Sequence, residues 1–279
     1  MPNTIKNIAI TAAKKAGELL LKEYKKFDRE GIKLKSKHEI VTRADLLSEE
    51  IIIKEIKKSF PLHGILSEEC GVVGSLQELA STRWIIDPLD GTTNFSMHNP
   101  LWAVSIAVAM RVKSELKTKA SEFKDGEDEE EIVMGVIYAP AIGEMFVAEK
   151  GKGASLNGKK IQVSPVRKGK VLNTFCHGKR DTDIKKAINY YRKQKLSGLD
   201  CRQLGSAALE LGYVSAGRIE SIMIPGANLW DVSAGILLVN EAGGIVTDFS
   251  GQEWNLKSKD MLATNGLVHR DILKVVKEA

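Results

Sequence analysis

The sequence has few cysteines, few aromatic residues and no long apolar run. Cys70, Cys176 and Cys201 are the only cysteines among 279 residues, and their spacing forms no CxxC metal or redox motif. An odd number of scattered cysteines is typical of a reducing compartment, so we expect a cytoplasmic protein. Residues 1–15 lack the apolar core of a signal peptide, and no apolar segment has the length of a bilayer span. We therefore expect a soluble protein without membrane contact.

The charge balance is only mildly basic. Lys and Arg number 41 against 36 Asp and Glu, a net charge of +5, and aromatic residues make up 6% of the chain. Because nucleic-acid binding combines basic patches with aromatic stacking residues, this composition argues against a nucleic-acid partner. With 43% hydrophobic residues, the chain can bury a large core without disulfides or structural metal. Its length favours one large domain or two packed subdomains.

The most informative stretch is 84–95, where an apolar run meets two aspartates around a Pro-Leu pair. Residues 84–86 predict a short buried strand. We expect Pro88 to end it, because proline cannot donate a hydrogen bond within a central sheet. Asp87 and Asp90 then lie at a strand end, where α/β proteins commonly hold their ligands.

This stretch also offers an arrangement suited to phosphate chemistry. The carboxylates of Asp87 and Asp90 and the carbonyl of Leu89 supply oxygen ligands for a hard divalent cation. The backbone N–H groups of Gly91 and Thr92 could form a cradle for an anion. Together they predict a magnesium-dependent enzyme that acts on phosphate. The alternative interpretation is an ordinary turn with surface acids.

Further acids lie at the boundaries of other predicted elements. Glu68 and Glu69 follow a short apolar run and repeat the strand-end pattern, which favours one shared metal cluster over a solvated glutamate pair. Asp45 and Asp231 each begin a predicted helix. An acid in that position commonly caps the helix or meets its dipole, so a structural and a catalytic role both stay open.

The remaining pattern alternates between predicted helices and strands. Apolar residues at helical spacing predict helices near 5–24, 45–61, 181–195, 207–214, 231–241 and 271–277. Segment 111–131 is strongly charged and predicts a hairpin with a long polar excursion, for which a regulatory or partner-binding role is the alternative. Asn157-Gly158 predicts a tight hairpin turn.

Taken together, these motifs resemble the inositol monophosphatase family, which shares the lithium-sensitive, magnesium-dependent phosphatase superfamily with fructose-1,6-bisphosphatase. The motifs that carry the resemblance are Asp45 after Val41-Thr42, Glu68-Glu69, the segment 87–92, and Trp230-Asp231 with Ala234-Gly235. The resemblance covers nearly the whole chain and implies an α/β (α+β) sandwich of alternating αβαβα layers. It further implies a single unit over 1–279, with approximate subdomains at 1–165 and 166–279.

The resemblance also implies roles for individual residues. The implied metal ligands, for two or three Mg²⁺ ions, are Glu68, Asp87, the Leu89 carbonyl, Asp90 and Asp231. Thr92, paired with Asp45 and near Glu68, would orient the attacking water. The implied substrate contacts are Glu68, Leu89, Asp90, Gly91, Thr92, Gly205, Ser206, Ala207, Asp231 and Lys35. The family implies a small phosphorylated substrate and a homodimer.

One position departs from the family pattern. Seven residues before Asp231, inositol monophosphatases carry a glutamate that binds ring hydroxyls, and this chain has Ile224 there. An apolar side chain cannot replace those hydrogen bonds, which counts against inositol 1-phosphate as the preferred substrate. We expect hydrolysis of an inositol monophosphate or a related sugar phosphate. The alternatives are fructose 1,6-bisphosphate, 3′-phosphoadenosine 5′-phosphate, or a catalytically silent binding or regulatory protein on the same scaffold.

Overall fold

The computed structural model describes residues 4–28, 33–36, 39–74, 81–112, 129–167 and 171–279. The helices in these ranges are α1 (Ile5–Tyr24), α2 (Arg43–Ser59), α3 (Thr92–Ser96), α4 (Asp181–Leu196), α5 (Ala207–Ser215), α6 (Leu229–Glu241) and α7 (His269–Lys277). The strands are β1 (Lys33–Ser36), β2 (Glu39–Val41), β3 (Gly64–Ser67), β4 (Gly71–Val73), β5 (Thr82–Asp90), β6 (Ala103–Val112), β7 (Glu129–Ala139), β8 (Glu144–Glu149), β9 (Ala154–Leu156), β10 (Lys159–Lys160), β11 (Leu172–Phe175), β12 (Asp200–Arg202), β13 (Ser221–Pro225), β14 (Ile245–Thr247) and β15 (Asp260–Thr264).

The elements stack in five layers. An eight-stranded sheet has the order β10-β9-β8-β7-β6-β5-β3-β4, and a five-stranded sheet has the order β12-β11-β13-β15-β14. Helices α1 and α2 pack on one face of the larger sheet, α5 and α6 lie between the sheets, and α4 and α7 cover the far face of the smaller sheet. The predicted αβαβα architecture is confirmed. The division at residue 165 stays a prediction.

The two faces of β5 explain how the layers are held together. Trp84 and Ile86 belong to the core beneath α1 and α2, whereas Ile85 belongs to the core that contains α5 and α6. This alternation is the period of two that a β-strand imposes on its side chains. Because both faces are covered, every residue of the strand except Arg83 is buried, which explains the apolar residues 84–86 before the acids.

Strand β5 continues through Pro88, so the expectation that this proline ends the strand is wrong. The pairing with β6 shifts register between Asp87, opposite Ser105, and Asp90, opposite Ala103. One extra residue on β5 forms a bulge, where a proline without an N–H is tolerated. Residues three apart on a regular strand face opposite sides of the sheet. The bulge removes that restriction and lets both aspartates face the middle layer.

The local predictions have mixed outcomes. The predicted helices are present, and Asn157 and Gly158 form the hairpin turn with φ of 50° and 79°. Of the charged excursion, 113–128 lie outside the described residues. Within the described ranges, every helix is too short or too polar to cross a membrane.

Candidate active site

Three acidic side chains from three elements meet between the sheets. Carboxylate oxygens of Glu68, Asp87 and Asp231 all lie within 4.8 Å of one another. Glu68 directly follows β3, Asp87 lies in β5, and Asp231 lies in the first turn of α6. The larger sheet and the middle helix layer therefore both contribute. We call this group the carboxylate trio. Its oxygen atoms are the ligands that hard divalent cations such as Mg²⁺ prefer.

Burial, together with the charges of neighbouring carboxylates, raises the pKa values of Asp87 and Asp231. Loss of hydration, reinforced by the charges of Glu68, Asp90 and Asp231, raises the pKa of Asp87 well above its ordinary value. For Asp231 the loss of hydration and the charges of Asp90 and Glu68 also raise the pKa, against a hydrogen bond from Asn228 Nδ2 to Asp231 Oδ2 at 3.0 Å. A cation among the carboxylates would relieve this repulsion, so the residues fit a metal site.

Asp90 lies next to the carboxylate trio but accepts hydrogen bonds from the middle layer. Its Oδ2 accepts a hydrogen bond from Ser206 Oγ at 2.5 Å and another from the Ala208 N–H at 2.7 Å. Burial raises the pKa of Asp90 to about 6, while these donors at the start of α5 oppose the rise. The predicted substrate segment 205–207 is thus joined to the acidic site through Asp90.

Asp45 combines the two roles that the sequence left open. Its Oδ2 accepts hydrogen bonds from the Thr42 N–H at 2.7 Å and the Thr42 hydroxyl at 2.6 Å, which forms a capping box at the start of α2. Its Oδ1 lies 3.0 Å from Thr92 Oγ1, which is also 3.0 Å from the Leu89 carbonyl oxygen. Burial raises the pKa of Asp45 to about 6 despite these contacts. The capping role is therefore observed, together with the predicted contact with Thr92.

Gly91 allows the backbone to make the turn between β5 and α3. Its φ is +89°, a left-handed conformation that favours glycine. A Cβ at this position would lie 3.0 Å from the Leu101 carbonyl oxygen and 3.2 Å from that of Gly205. Both the conformation and the close packing of the two layers therefore require a residue without a side chain.

Sequence reasoning missed Glu49, which shapes the turn that carries Glu68. Glu49 is buried, and its Oε1 accepts hydrogen bonds from the Ser67 hydroxyl, the Glu69 N–H at 3.2 Å and the Cys70 N–H at 3.1 Å. Glu49 lies four residues after Asp45, on the same face of α2. The four-residue spacing from Asp45 is the sequence feature that could have located Glu49 near the site.

Two further residues that sequence reasoning missed hold the segment before α5. Glu210 is fully buried, and its Oε1 accepts hydrogen bonds from the N–H groups of Leu204 and Gly205, each at 3.0 Å. Asn94 Nδ2 lies 2.7 Å from the Leu101 carbonyl oxygen and 2.8 Å from that of Leu204. The contact between Asn94 and Leu204 joins residues 110 positions apart, for which the sequence gives no signal.

Two positions that the sequence relates to substrate binding, Lys35 and Ile224, lie in strands. Lys35 lies in β1, but its side chain is outside the described residues. Ile224 lies in β13, opposite Met261 of β15, and is 2% exposed. It belongs to the apolar core of the middle layer, so it offers no hydrogen bond to a substrate.

Comparison with known proteins finds relatives that match this chain over nearly its full length. The Nus factor SuhB of Escherichia coli K12 is 38% identical over 269 residues, which cover 96% of this chain and 93% of the relative. An inositol-1-monophosphatase of Mesorhizobium japonicum is 36% identical, with 98% and 96% covered. The two names show that this chain is similar both to a named phosphatase and to proteins named for another role.

Solved structures are similar over the same extent. The extragenic suppressor protein suhB of Bartonella henselae has a TM-score of 0.83 and 32% identity, and the match covers 98% of each chain. The inositol monophosphatase (IMPase) of Thermotoga maritima has a TM-score of 0.79 and 33% identity, with 98% of this chain and 96% of that chain covered. A model of the inositol monophosphatase family matches residues 1–116 and 127–279. With both sheets and all the acids of the site inside these matched ranges, the chain belongs to the inositol monophosphatase family.

Proposed function

We propose that this chain is a Mg²⁺-dependent phosphatase that hydrolyses a small phosphate monoester, in the class of inositol or related sugar phosphates. The observation that carries the proposal is the carboxylate trio, whose oxygens lie within 4.8 Å of one another between the sheets. Family membership supports the same activity, as does the inositol-1-monophosphatase among the relatives.

The residues of the site would have different roles in hydrolysis. Glu68, Asp87 and Asp231, with Asp90 and the Leu89 carbonyl, would hold two or three Mg²⁺ ions. When bound, these ions neutralise the phosphate and lower the pKa of the attacking water. The substrate phosphate would accept hydrogen bonds from the Gly91 and Thr92 N–H groups, and segment 205–207 would contact the alcohol part.

Asp45 and Thr92 provide the proton path. The Thr92 hydroxyl, 3.0 Å from Asp45 Oδ1, can orient a water molecule, and the Asp45 carboxylate can accept the proton that this water loses. The water oxygen forms a bond to phosphorus as the ester P–O bond breaks. The departing alkoxide takes a proton from solvent, so the products are the alcohol and inorganic phosphate.

The experiment is phosphate release in Mg²⁺ from inositol 1-phosphate, fructose 1-phosphate, fructose 1,6-bisphosphate and 3′-phosphoadenosine 5′-phosphate. We expect turnover of at least one compound, and a loss of more than about 100-fold in Asp87→Asn, because a metal ligand is removed. The matched control is Asp271→Asn, which removes an exposed acid from α7. Undiminished turnover by Asp87→Asn would contradict the site assignment.

The relatives named Nus factor favour a second candidate, a binding or regulatory role on the same scaffold. A folded protein that binds Mg²⁺ but releases no phosphate from any of the four compounds would favour this role. The cytoplasmic location, the homodimer and the absence of nucleic-acid and membrane partners stay predictions.

A further inference from the structure

Glu210 is a buried acid that the proposed hydrolysis does not use. It lies in the first turn of α5 and is 0% exposed. Its Oε1 accepts hydrogen bonds from the N–H groups of Leu204 and Gly205, each at 3.0 Å. These two residues directly precede Ser206, the N-cap residue of α5. A side chain in the first turn of the helix therefore reaches back and fixes the backbone that enters the same helix.

A buried thiol holds the Glu210 side chain in this position. Cys176 is buried, and its Sγ lies 3.3 Å from Glu210 Oε1. Burial and the charges of Glu210 and Asp90 raise the pKa of Cys176 well above its ordinary value, so the thiol keeps its proton and donates it. Burial also raises the pKa of Glu210 to about 7, against the hydrogen bonds that it accepts. Because this pKa is near neutral pH, an uncharged glutamine is a close substitute.

The backbone that Glu210 fixes lies against the proposed phosphate cradle. A Cβ at Gly91 would lie only 3.2 Å from the Gly205 carbonyl oxygen, so the two backbones are in close contact. Asn94 Nδ2 donates to the Leu204 carbonyl oxygen at 2.8 Å. Leu204 is thus held at both of its polar groups, at N–H by Glu210 and at C=O by Asn94. A shift of this stretch would change the wall of the site next to the Gly91 N–H group.

We propose that Glu210 is a positioning residue that holds segment 205–207 in the orientation in which its backbone contacts the alcohol part of the substrate. The inference rests on the proposed phosphatase function. Ile224 offers no hydrogen bond, so recognition of the alcohol falls to this backbone. A preorganised segment binds more tightly than a loose one, because less ordering is needed on binding. Glu210 acts through the backbone and not on the reacting atoms, so it governs KM more than kcat.

Two substitutions of similar size test the proposal. Glu210→Gln keeps an acceptor oxygen, whereas Glu210→Met fills the same space without one. Phosphate release in Mg²⁺ is measured with those of the four compounds that the wild type hydrolyses. Glu210→Met should raise KM by at least about 10-fold, because two buried N–H groups lose their acceptor. It should leave kcat nearly unchanged, and Glu210→Gln should keep a KM close to that of the wild type.

Glu241 provides the matched control, because it also accepts two backbone N–H groups. Its Oε1 and Oε2 each lie 2.7 Å from an N–H nitrogen, of Gly151 and Gly153 respectively. From Asp231 to Glu241, α6 rises by about 15 Å, so this contact is remote from the site. Glu241→Met should leave KM unchanged. An equal rise of KM in Glu241→Met and Glu210→Met, or equal KM values in Glu210→Gln and Glu210→Met, would overturn the positioning role.

Hydrogen exchange tests the positioning without any turnover. In the metal-free protein, the amides of Leu204 and Gly205 should exchange at least about 10-fold faster in Glu210→Met than in Glu210→Gln. Equal exchange rates in the two variants would overturn the proposal. If Glu210→Met does not fold, Glu210→Asp replaces it, since the shorter side chain withdraws the acceptor from the two amides.

A failure of the phosphatase proposal is distinguishable from a failure of the positioning role. If none of the four compounds is hydrolysed, the proposed activity on them fails, and calorimetric titration with the same compounds in Mg²⁺ replaces KM. Weaker binding by Glu210→Met than by Glu210→Gln would support the positioning role. Equal binding by the two variants, or no binding by the wild type, would overturn it.

Discussion

Ser206 donates a hydrogen bond to Asp90 across the boundary between the larger sheet and the middle layer, with Oγ and Oδ2 2.5 Å apart. Ser206 is also the N-cap residue of α5 and accepts from the Leu209 N–H at 3.4 Å. One hydroxyl therefore begins a helix and orients an acid of the site. This double role makes Ser206 the first residue to test.

Ser206→Ala should lower both stability and activity. Loss of the cap costs about 1 kcal/mol, and loss of a hydrogen bond to a buried carboxylate costs about 2 kcal/mol. We expect the free energy of unfolding to fall by about 2–3 kcal/mol in urea titration, and turnover to fall by about 10-fold as Asp90 loses its orientation. The matched control is Ser215→Ala, a buried serine of the same helix that bonds to the Gly212 carbonyl. An equal loss of activity in both variants would contradict the role of Ser206.

Glu49→Ala should weaken metal binding without removing a proposed metal ligand. The change leaves the Ser67 hydroxyl and the N–H groups of Glu69 and Cys70 without their acceptor, which costs about 2–3 kcal/mol. Calorimetric titration with Mg²⁺ should then show weaker binding, because the turn carrying Glu68 is no longer fixed. Glu49→Gln, which keeps one acceptor oxygen, should be affected less. The exposed neighbour Glu50 provides the control Glu50→Ala, and a similar effect there would count against the prediction.

The metal-free protein should lose stability as the pH rises from about 4 to above 6. Burial raises the pKa of Asp45 and of Asp90 from the model-peptide value near 3.8 to about 6. The folded state then binds more protons than the unfolded state in this window, so the stability from these groups is complete below about pH 4 and is lost through pH 6. Thermal unfolding in EDTA should show this trend.

Mg²⁺ and Asp45→Asn should each make the pH dependence shallower. The cation favours the ionised carboxylates, and the asparagine removes one of the carboxyl groups whose pKa is raised. Each fully titrated carboxyl contributes about 2–3 kcal/mol. Unfolding temperatures that rise steadily from pH 4.5 to 8 in EDTA would refute the prediction.

Gly91→Ala should be much more harmful than the same change at Gly143. Both glycines have positive φ, +89° and +68°, but a Cβ at Gly143 has no heavy atom within 4 Å. At Gly91 the Cβ would press on the Leu101 and Gly205 carbonyl oxygens. Gly143→Ala should therefore cost about 1 kcal/mol, the strain of the conformation alone. Gly91→Ala should cost more and abolish turnover, as measured by urea unfolding and phosphate release. Equal costs would show that the close contact is unimportant.

Local sequence pattern draws attention to the acids that the structure brings together, because each follows an apolar run or begins a helix. Asp87, Asp90 and Glu68 each follow an apolar run, and Asp231 begins a helix, so local pattern alone locates them. The bulge at Pro88 was not predictable from this pattern, because it depends on the register with β6. The rule for regular central strands predicts that β5 ends at Pro88, and the bulge is the exception to that rule.

The residues that support the acids were missed for a related reason. Glu49 and Glu210 are buried carboxylates that accept backbone N–H groups, and in a sequence they look like ordinary charged residues on helices. Their partners are about 20 residues away for Glu49 but only five or six away for Glu210. In both cases the contact is strongly stabilising because the carboxylate is buried. This burial comes from the packing of the layers, which no local sequence pattern encodes.

The short segment 204–208 is bonded to the end of β5 and to the helix that follows it, through Asp90 at Ser206 and Ala208 and through Asn94 of α3 at Leu204. Because these bonds share one stretch of backbone, a transient separation of α5 from the sheet would break them together. The site would then come apart in one cooperative opening event, not residue by residue. The Ala208 N–H donates to Asp90 across that boundary. Its hydrogen-exchange rate would therefore report how readily the site opens.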